Sequence, residues 1–323
     1  MQNNRATILY HRDCADGMMS AYLLYRLYKS QGLRNQCVFK SVNYKEALPV
    51  VDPTDLLWIV DFSFSPEDMV ELSKKADRII MLDHHESAAG MWGGYRDAAF
   101  SSQDGFKATL SQPCGCSSEG KLFSRLVKGK SGALITYEYI RDNFKHLKLE
   151  FMDNGRLRCL VDRVSDRDLW KFEFADSKII HSIITSRPYS FGWLDTLAEC
   201  SHKEFDGYLR QAVGANNLTR ANISKLLERV EFMHMWGGIR VGFVNCQTEY
   251  ASDTGDAILD DFPVDVAMLW RVEHGRVLVS LRSKKGGVNV EQIAKEYNGG
   301  GQEHAARFVM SVNRLHLLLT GQL

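Results

Sequence analysis

Apolar runs of four or five residues recur through the first ninety positions: Thr7-Ile8-Leu9-Tyr10, Val38-Phe39-Lys40-Ser41-Val42, Leu56-Leu57-Trp58-Ile59-Val60 and Arg78-Ile79-Ile80-Met81-Leu82. Each is too short for a helix and reads as a strand, Val38 to Val42 interrupted by Lys40 and Ser41, and Arg78 to Leu82 continuous enough to predict a buried strand. Helical patterns lie between them. Met18 to Tyr28 packs apolar positions around Ala21, Leu23, Leu24 and Leu27. Ser65-Pro66-Glu67-Asp68 is a helix start, with proline at the first helical position and acids in the first turn. Strands alternating with helices predict an α/β fold on a parallel sheet.

Residues 87–130 read as loops, rich in Ser and Gly, with Ser87-Ala88-Ala89-Gly90 and 101–120 the clearest. Ser131-Gly132-Ala133 opens a helix through Ile140, and residues 173–235 read as largely helical and polar. From Trp236 the texture changes to strands at 239–244, 264–270 and 276–282, a helix at 290–297, three consecutive glycines, and a last strand at 307–312. This predicts a larger domain over 1–200, a helical connector over 201–235 and a smaller domain over 236–323.

Composition narrows the class. Hydrophobic content of 45% and charged content of 25% are those of an ordinary globular chain. Forty basic and forty acidic residues leave no net charge, which argues against coating long nucleic acid by bulk electrostatics. The N-terminus has no apolar stretch of signal-peptide type and no run reaches membrane-spanning length. Seven scattered cysteines do not form a disulfide framework, so a reducing cytoplasm is expected. Cys114-Gly115-Cys116 is an isolated pair, short of a zinc site, and reads as structural.

The chemistry lies at the strand ends. The first run delivers His11-Arg12-Asp13-Cys14-Ala15-Asp16-Gly17, the third Asp61, and the fourth Asp83-His84-His85. Taken alone, Asp83-His84-His85 is equally a helix cap with two surface histidines. Three acid- or imidazole-bearing strand ends in one parallel sheet point instead to a shared crevice, with carboxylate and imidazole ligands for a divalent cation. Leu160 to Trp170 adds Asp162, Asp166 and Asp168, interleaved with Arg163 and Arg167. In the second region, Arg282-Ser283 and Gly299-Gly300-Gly301 combine a strand-borne guanidinium with backbone free to approach a phosphate.

These motifs, in this order and over nearly the whole chain, resemble the DHH phosphoesterase superfamily with a C-terminal DHHA1 domain. His11 to Gly17 resembles its first motif, Asp61 its second, and Asp83-His84-His85 the motif that names it. Asp166, four residues before Trp170, resembles the fourth, and Asp168 before Phe172 fits the same spacing. Ser280-Leu281-Arg282-Ser283 and Gly299-Gly300-Gly301 resemble the DHHA1 substrate signatures. The first motif departs by one extra residue between Asp13 and Asp16, and Gln302 stands where a histidine usually follows the glycines, with His304 two residues on.

The resemblance implies a parallel-sheet DHH domain with helices on both faces, a smaller α/β DHHA1 domain, and two divalent ions. Manganese is expected, with magnesium or cobalt as substitutes. His11, Asp13 and Asp61 would hold one ion, and Asp16, Asp61, His84 and Asp166 (or Asp168) the other. His85 would face the phosphate, with Asp83 behind it. Arg282, Ser283, Gly299, Gly300, Gly301, Gln302 and His304 would hold the substrate. The implied activity is hydrolysis of short linear oligoribonucleotides, above all dinucleotides such as pGpG or pApA, to mononucleotides. Alternatives are a RecJ-like single-strand 5′–3′ exonuclease, a 3′-phosphoadenosine 5′-phosphate phosphatase, a cyclic-dinucleotide phosphodiesterase and, without catalysis, a nucleotide-binding sensor. Neither a membrane nor long nucleic acid is expected as a partner, and a homodimer stays open.

Overall fold

The computed structural model describes residues 5–44, 46–85, 88, 91–92 and 122–322. The Cys114-Gly115-Cys116 pair and most of the expected 87–130 loops lie outside these residues. The chain forms two compact units, Met1–Val213 and Gly214–Leu323.

The first unit is built on five parallel strands, β1 (Ala6–His11), β2 (Cys37–Val42), β3 (Thr54–Val60), β4 (Ala76–Asp83) and β5 (Leu122–Leu126), in the order β2-β1-β3-β4-β5. Alternate residues of the apolar runs face opposite ways. Ile8, Trp58, Val60, Ile80 and Leu82 join one buried cluster, while Leu9, Leu57, Ile59, Ile79 and Met81 join the other. On the first face pack α1 (Ala15–Ser30), α3 (Gly132–Asn143), α4 (Gly155–Asp168), α5 (Ser177–Thr185) and α6 (Phe191–Glu199). The second face is covered by α2 (Pro66–Ser73), whose Met69 and Leu72 are buried there. The unit is thus an α/β layer structure with helices on both faces, as the pattern predicts.

Local capping fixes several of these helices. Ser65 Oγ accepts from the Asp68 N–H ahead of Pro66, Ser131 Oγ accepts from Leu134 N–H, and Asn154 Oδ1 accepts from Arg156 and Leu157 N–H. Each satisfies a donor that the helix start leaves open. β5 is a departure from expectation, because residues 122–126 fall in a stretch read as loop. Leu-Phe-Ser-Arg-Leu sits at the edge of the sheet with alternating burial, so it lacks the continuous apolar run of the inner strands.

The helix α7 (His202–Leu227) begins in the first unit and ends in the second. The second unit is an α/β structure on a mixed six-stranded sheet. Its strands are β6 (Glu231–Met235), β7 (Ile239–Asn245), β8 (Val266–Glu273), β9 (Arg276–Ser283), β10 (Gly300–Gln302) and β11 (Ala305–Ser311), ordered β10-β11-β9-β8-β7-β6. Only β7 and β8 pair in parallel. α8 (Thr248–Asp261) covers one face through Ala251, Ile258 and Leu259, and α9 (Val290–Glu296) the other through Val290, Ile293 and Ala294. Among the described residues no helix is long and apolar enough to cross a membrane.

Candidate metal centre

In the first sheet the chain moves one way from β1 to β2 and the other way from β1 to β3, so the topological switch point lies between β1 and β3. Ligand crevices in open α/β sheets form there, outside the C-terminal strand ends. His11 is the last residue of β1, and Asp61 follows β3 directly. Asp83 ends β4, and Asp16 lies in the first turn of α1. The register continues this alignment, since Tyr10 pairs with Val60 and Val60 with Leu82.

His84 is the hub of the cluster. Its Nε2 lies 3.1 Å from Asp61 Oδ1, 3.5 Å from Asp168 Oδ2 and 3.6 Å from Asp16 Oδ2. A second group of donor atoms comes from His11, Cys14 and Asp61, all within 4.8 Å of one another. His11 Nδ1 stands 3.5 Å from Asp61 Oδ2, and both atoms are buried without a hydrogen-bond partner. Asp61 takes a left-handed backbone, φ 54°, which an aspartate tolerates better than most residues and which aims its carboxylate between the two groups.

The charges explain each other. Burial and the like charges of Asp61 and Asp168 push the Asp16 carboxyl well above the usual range. Loss of water around its carboxylate within the cluster also raises Asp168, with the Asp61 charge adding to it and the His84 imidazole opposing, while the residue as a whole stays exposed. Burial alone would raise Asp61, but its contacts with His11 and His84 hold it far below the usual carboxylate range. His84 is pushed up to about 10 because the three carboxylates outweigh burial. A divalent cation suits this arrangement: the donors are oxygen and imidazole nitrogen, three carboxylates are crowded together, and two buried donor atoms face each other without a hydrogen bond.

Asp83 and His85 pair with each other beside the hub, and their donor atoms group with those of Asp61 and His84 within 4.8 Å. His85 Nδ1 is 2.7 Å from Asp83 Oδ1, and Ser63 Oγ donates to Asp83 Oδ2 at 2.6 Å. Asp83 and Ser63 are both buried. The carboxylate orients the ring and leaves Nε2 free of that bond. The Asp83 charge raises His85 above its ordinary value despite burial. The rings of His11, Tyr44 and Phe62 wall this side, with His11 and His85 5.5 Å apart and Tyr44 stacked on Phe62 at 4.3 Å.

Two expected ligands lie elsewhere. Asp166 turns away from the cluster: it accepts from Glu173 N–H at 2.9 Å, Phe174 N–H at 3.2 Å and Ser177 Oγ at 2.5 Å. It therefore ties the chain after α4 to α5, and Asp168 is the α4 acid that reaches His84. Asp13 is exposed, has φ 54°, and belongs to none of the donor clusters among the described residues. Asp162 pairs with Arg158 on the helix surface.

Gly132 supports the site across 116 positions of sequence. Its N–H donates to Asp16 Oδ2 at 2.6 Å and that of Ala133 to Asp16 Oδ1 at 3.0 Å, so the start of α3 fixes this carboxylate. A Cβ on Gly132 would meet Asp61 Cβ at 2.6 Å and Asp61 Oδ1 at 2.9 Å. Gly132→Ala is therefore expected to cost about 1–3 kcal/mol of stability and to lower metal-dependent turnover roughly 10–100-fold by moving Asp61. Melting curves and steady-state rates measure both. Wild-type turnover in a stably folded variant would show that this contact does not position the site.

In the second unit the expected substrate residues do gather locally. Ser283 Oγ donates to Val288 O at 2.5 Å and lies 3.0 Å from His304 Nδ1. Arg282 Nη2 donates to Ser252 Oγ at 2.9 Å, and Ala305 pairs with Arg282 in the sheet. The glycine run is not a free loop, for Gly300–Gln302 forms β10. Gly299 and Gly301 have no room for a Cβ against Arg307 O and Ala305 O, whereas Gly300 faces open space. Two of the three glycines are thus required by packing.

Comparison with known proteins agrees with this architecture. The DHH family, N-terminal domain, matches residues 5–149 and the DHHA1 domain matches residues 244–320. The chain belongs to the DHH/DHHA1 phosphoesterase superfamily, whose members are divalent-metal-dependent hydrolases. It is 22% identical to an uncharacterized protein of Acanthamoeba polyphaga mimivirus, over 94% of this chain and 67% of that one. In fold it is similar to RecJ from Thermus thermophilus in complex with Mn2+, with TM-score 0.55 and 16% identity. That likeness covers 99% of this chain and 51% of RecJ. It is also similar to CDC45 from Entamoeba histolytica, with TM-score 0.51 and 10% identity over 99% of this chain and 95% of that one.

Proposed function

We propose that the protein hydrolyses short linear oligoribonucleotides, dinucleotides such as pGpG or pApA foremost, to mononucleotides with two divalent ions, manganese the expected pair. The observation that carries the hydrolytic reading is the convergence of Asp16, Asp61, Asp168 and His84 beside the unpartnered His11 Nδ1 and Asp61 Oδ2. His11 and Asp61 would contribute to one ion and Asp16, Asp61, His84 and Asp168 to the other. Asp13, exposed beside this group, joins only if its carboxylate turns inward. Bound there, two ions supply an activated water and charge neutralisation for in-line displacement at phosphorus.

The chain's own groups divide the remaining work. His85, held by Asp83 and inclined to stay protonated, presents Nε2 as a donor to a phosphate oxygen. Asp83 cannot turn away, because Ser63 occupies its other oxygen. The α3 N-terminus keeps Asp16 in place before any ion arrives. Arg282, Ser283, Gln302, His304 and the Gly299-Gly300-Gly301 segment are the proposed contacts to the rest of the substrate. A reducing cytoplasm is the proposed compartment, in keeping with five free cysteines among the described residues.

The preference for short substrates rests on the balanced charge of forty basic and forty acidic residues. Manganese-dependent turnover of single-stranded RNA from two to about twenty nucleotides tests it, with the highest kcat/KM expected on dinucleotides. Rates that rise with length, or a preference for single-stranded DNA, would favour the RecJ-like exonuclease, to which the likeness in fold lends support.

A further inference from the structure

The first motif carries a thiol where every other inward-facing donor is oxygen or imidazole. Cys14 is the N-cap residue of α1, a place where serine, threonine or aspartate ordinarily lends an oxygen to the first turn. Its side chain makes no capping hydrogen bond of ordinary geometry, the Gly17 N–H being its polar neighbour there. The sulfur is instead grouped with the donor atoms of His11 and Asp61, all within 4.8 Å of one another. Two of those atoms, His11 Nδ1 and Asp61 Oδ2, are buried without a hydrogen-bond partner, and Asp61 is 0% exposed. A buried carboxylate oxygen whose neighbour His11 Nδ1 stands 3.5 Å away without a hydrogen bond calls for a proton or a cation.

We propose that Cys14 is a metal ligand, its Sγ joining His11 and Asp61 in a mixed S/N/O position for a thiophilic divalent cation such as Zn2+. The second position, made by Asp16, His84 and Asp168, has only oxygen and nitrogen donors. The two positions then differ in softness, and the centre prefers unlike ions: a thiophilic one beside Cys14 and a harder one, such as Mn2+, beside Asp168. Binding at the mixed position forms the sulfur–metal bond and releases the thiol proton to solvent. This inference rests on the metal-centre reading above.

The probe is Cd2+, whose bond to a thiolate gives an ultraviolet charge-transfer band without any turnover. Metal-free full-length protein is titrated with Cd2+ and, separately, with Mn2+, following absorbance and heat. The wild-type chain is expected to develop the band with its tightest Cd2+ equivalent. Cys14→Ser should lose that band and bind Cd2+ roughly 10–100-fold more weakly, with Mn2+ affinity at the other position held within about threefold. A band unchanged in Cys14→Ser overturns the assignment, since other cysteines then bind the probe. Thiol alkylation of the wild-type chain needs no variant: Zn2+ should protect Cys14 specifically, and equal labelling with and without Zn2+ overturns the proposal. Failure of the metal centre itself looks different, because Asp61→Asn and His84→Ala would then leave binding of both cations unchanged.

Discussion

Replacing His84 with alanine is expected to abolish turnover while the chain still folds. Its Nε2 is the point that Asp61, Asp168 and Asp16 share, at 3.1, 3.5 and 3.6 Å. Without it the bound ion would lose its imidazole ligand, and the metal-free cluster loses the cationic partner that lets three carboxylates sit so close. A lost ion removes several kcal/mol of charge stabilisation, which at tenfold per ~1.4 kcal/mol is a fall of about 10³-fold or more. The sheet should not register the change, because the β4 pairing stops at Asp83 with Leu126. For Asp61 the informative replacement is asparagine. Alanine at φ 54° would add backbone strain to the loss of charge, whereas asparagine adopts that conformation readily. Initial rates with manganese, read beside melting temperatures, test both variants. Full activity in either removes it from the metal centre.

The inner strands and the candidate donor residues at their ends are legible because one physical cause writes both. A strand buried on two faces must be apolar throughout, so Leu57-Trp58-Ile59-Val60 stands out, and the residue after it is by construction at the mouth of the sheet. Asp61 and His84 are found that way, as are His11 and Asp83. β5 is not legible, since an edge strand with Ser124 and Arg125 carries no continuous run. Gly132 is not legible either, because its role comes from contact with Asp16 and Asp61 far away in sequence. Cys14 is not legible as a donor, because a single thiol at a helix N-cap carries no metal signature until the fold groups its sulfur with His11 and Asp61. In the second unit the glycine run reads as a binding loop, yet packing against β11 accounts for Gly299 and Gly301 before any ligand does.

The choice between Asp166 and Asp168 turns on helix geometry that spacing to an aromatic cannot express. Two residues apart on one helix, the acids point about 200° apart, so a single crevice receives only one of them. Past the end of α4 the chain leaves through Trp170 and Phe172, both in the left-handed region at φ 54° and 53°. That path brings the Glu173 and Phe174 amides back onto the Asp166 carboxylate. The two residues should therefore fail in opposite ways. Asp166→Ala strands two backbone donors and the Ser177 hydroxyl around a 4%-exposed position, at about 1–3 kcal/mol for each group left unsatisfied. A net loss of about 3 kcal/mol corresponds to a fall in melting temperature on the order of 10 °C for a unit of this size. Turnover per folded molecule should change little. Asp168→Ala is expected to do the reverse, leaving the melting temperature of the metal-free chain unchanged or raised, because it removes one of three crowded acids. Its turnover should drop at least about 100-fold with the loss of a ligand oxygen beside His84. Melting curves of the metal-free variants and rates normalised to folded protein separate the two. A stable, inactive Asp166→Ala beside an active Asp168→Ala would return Asp166 to the metal centre.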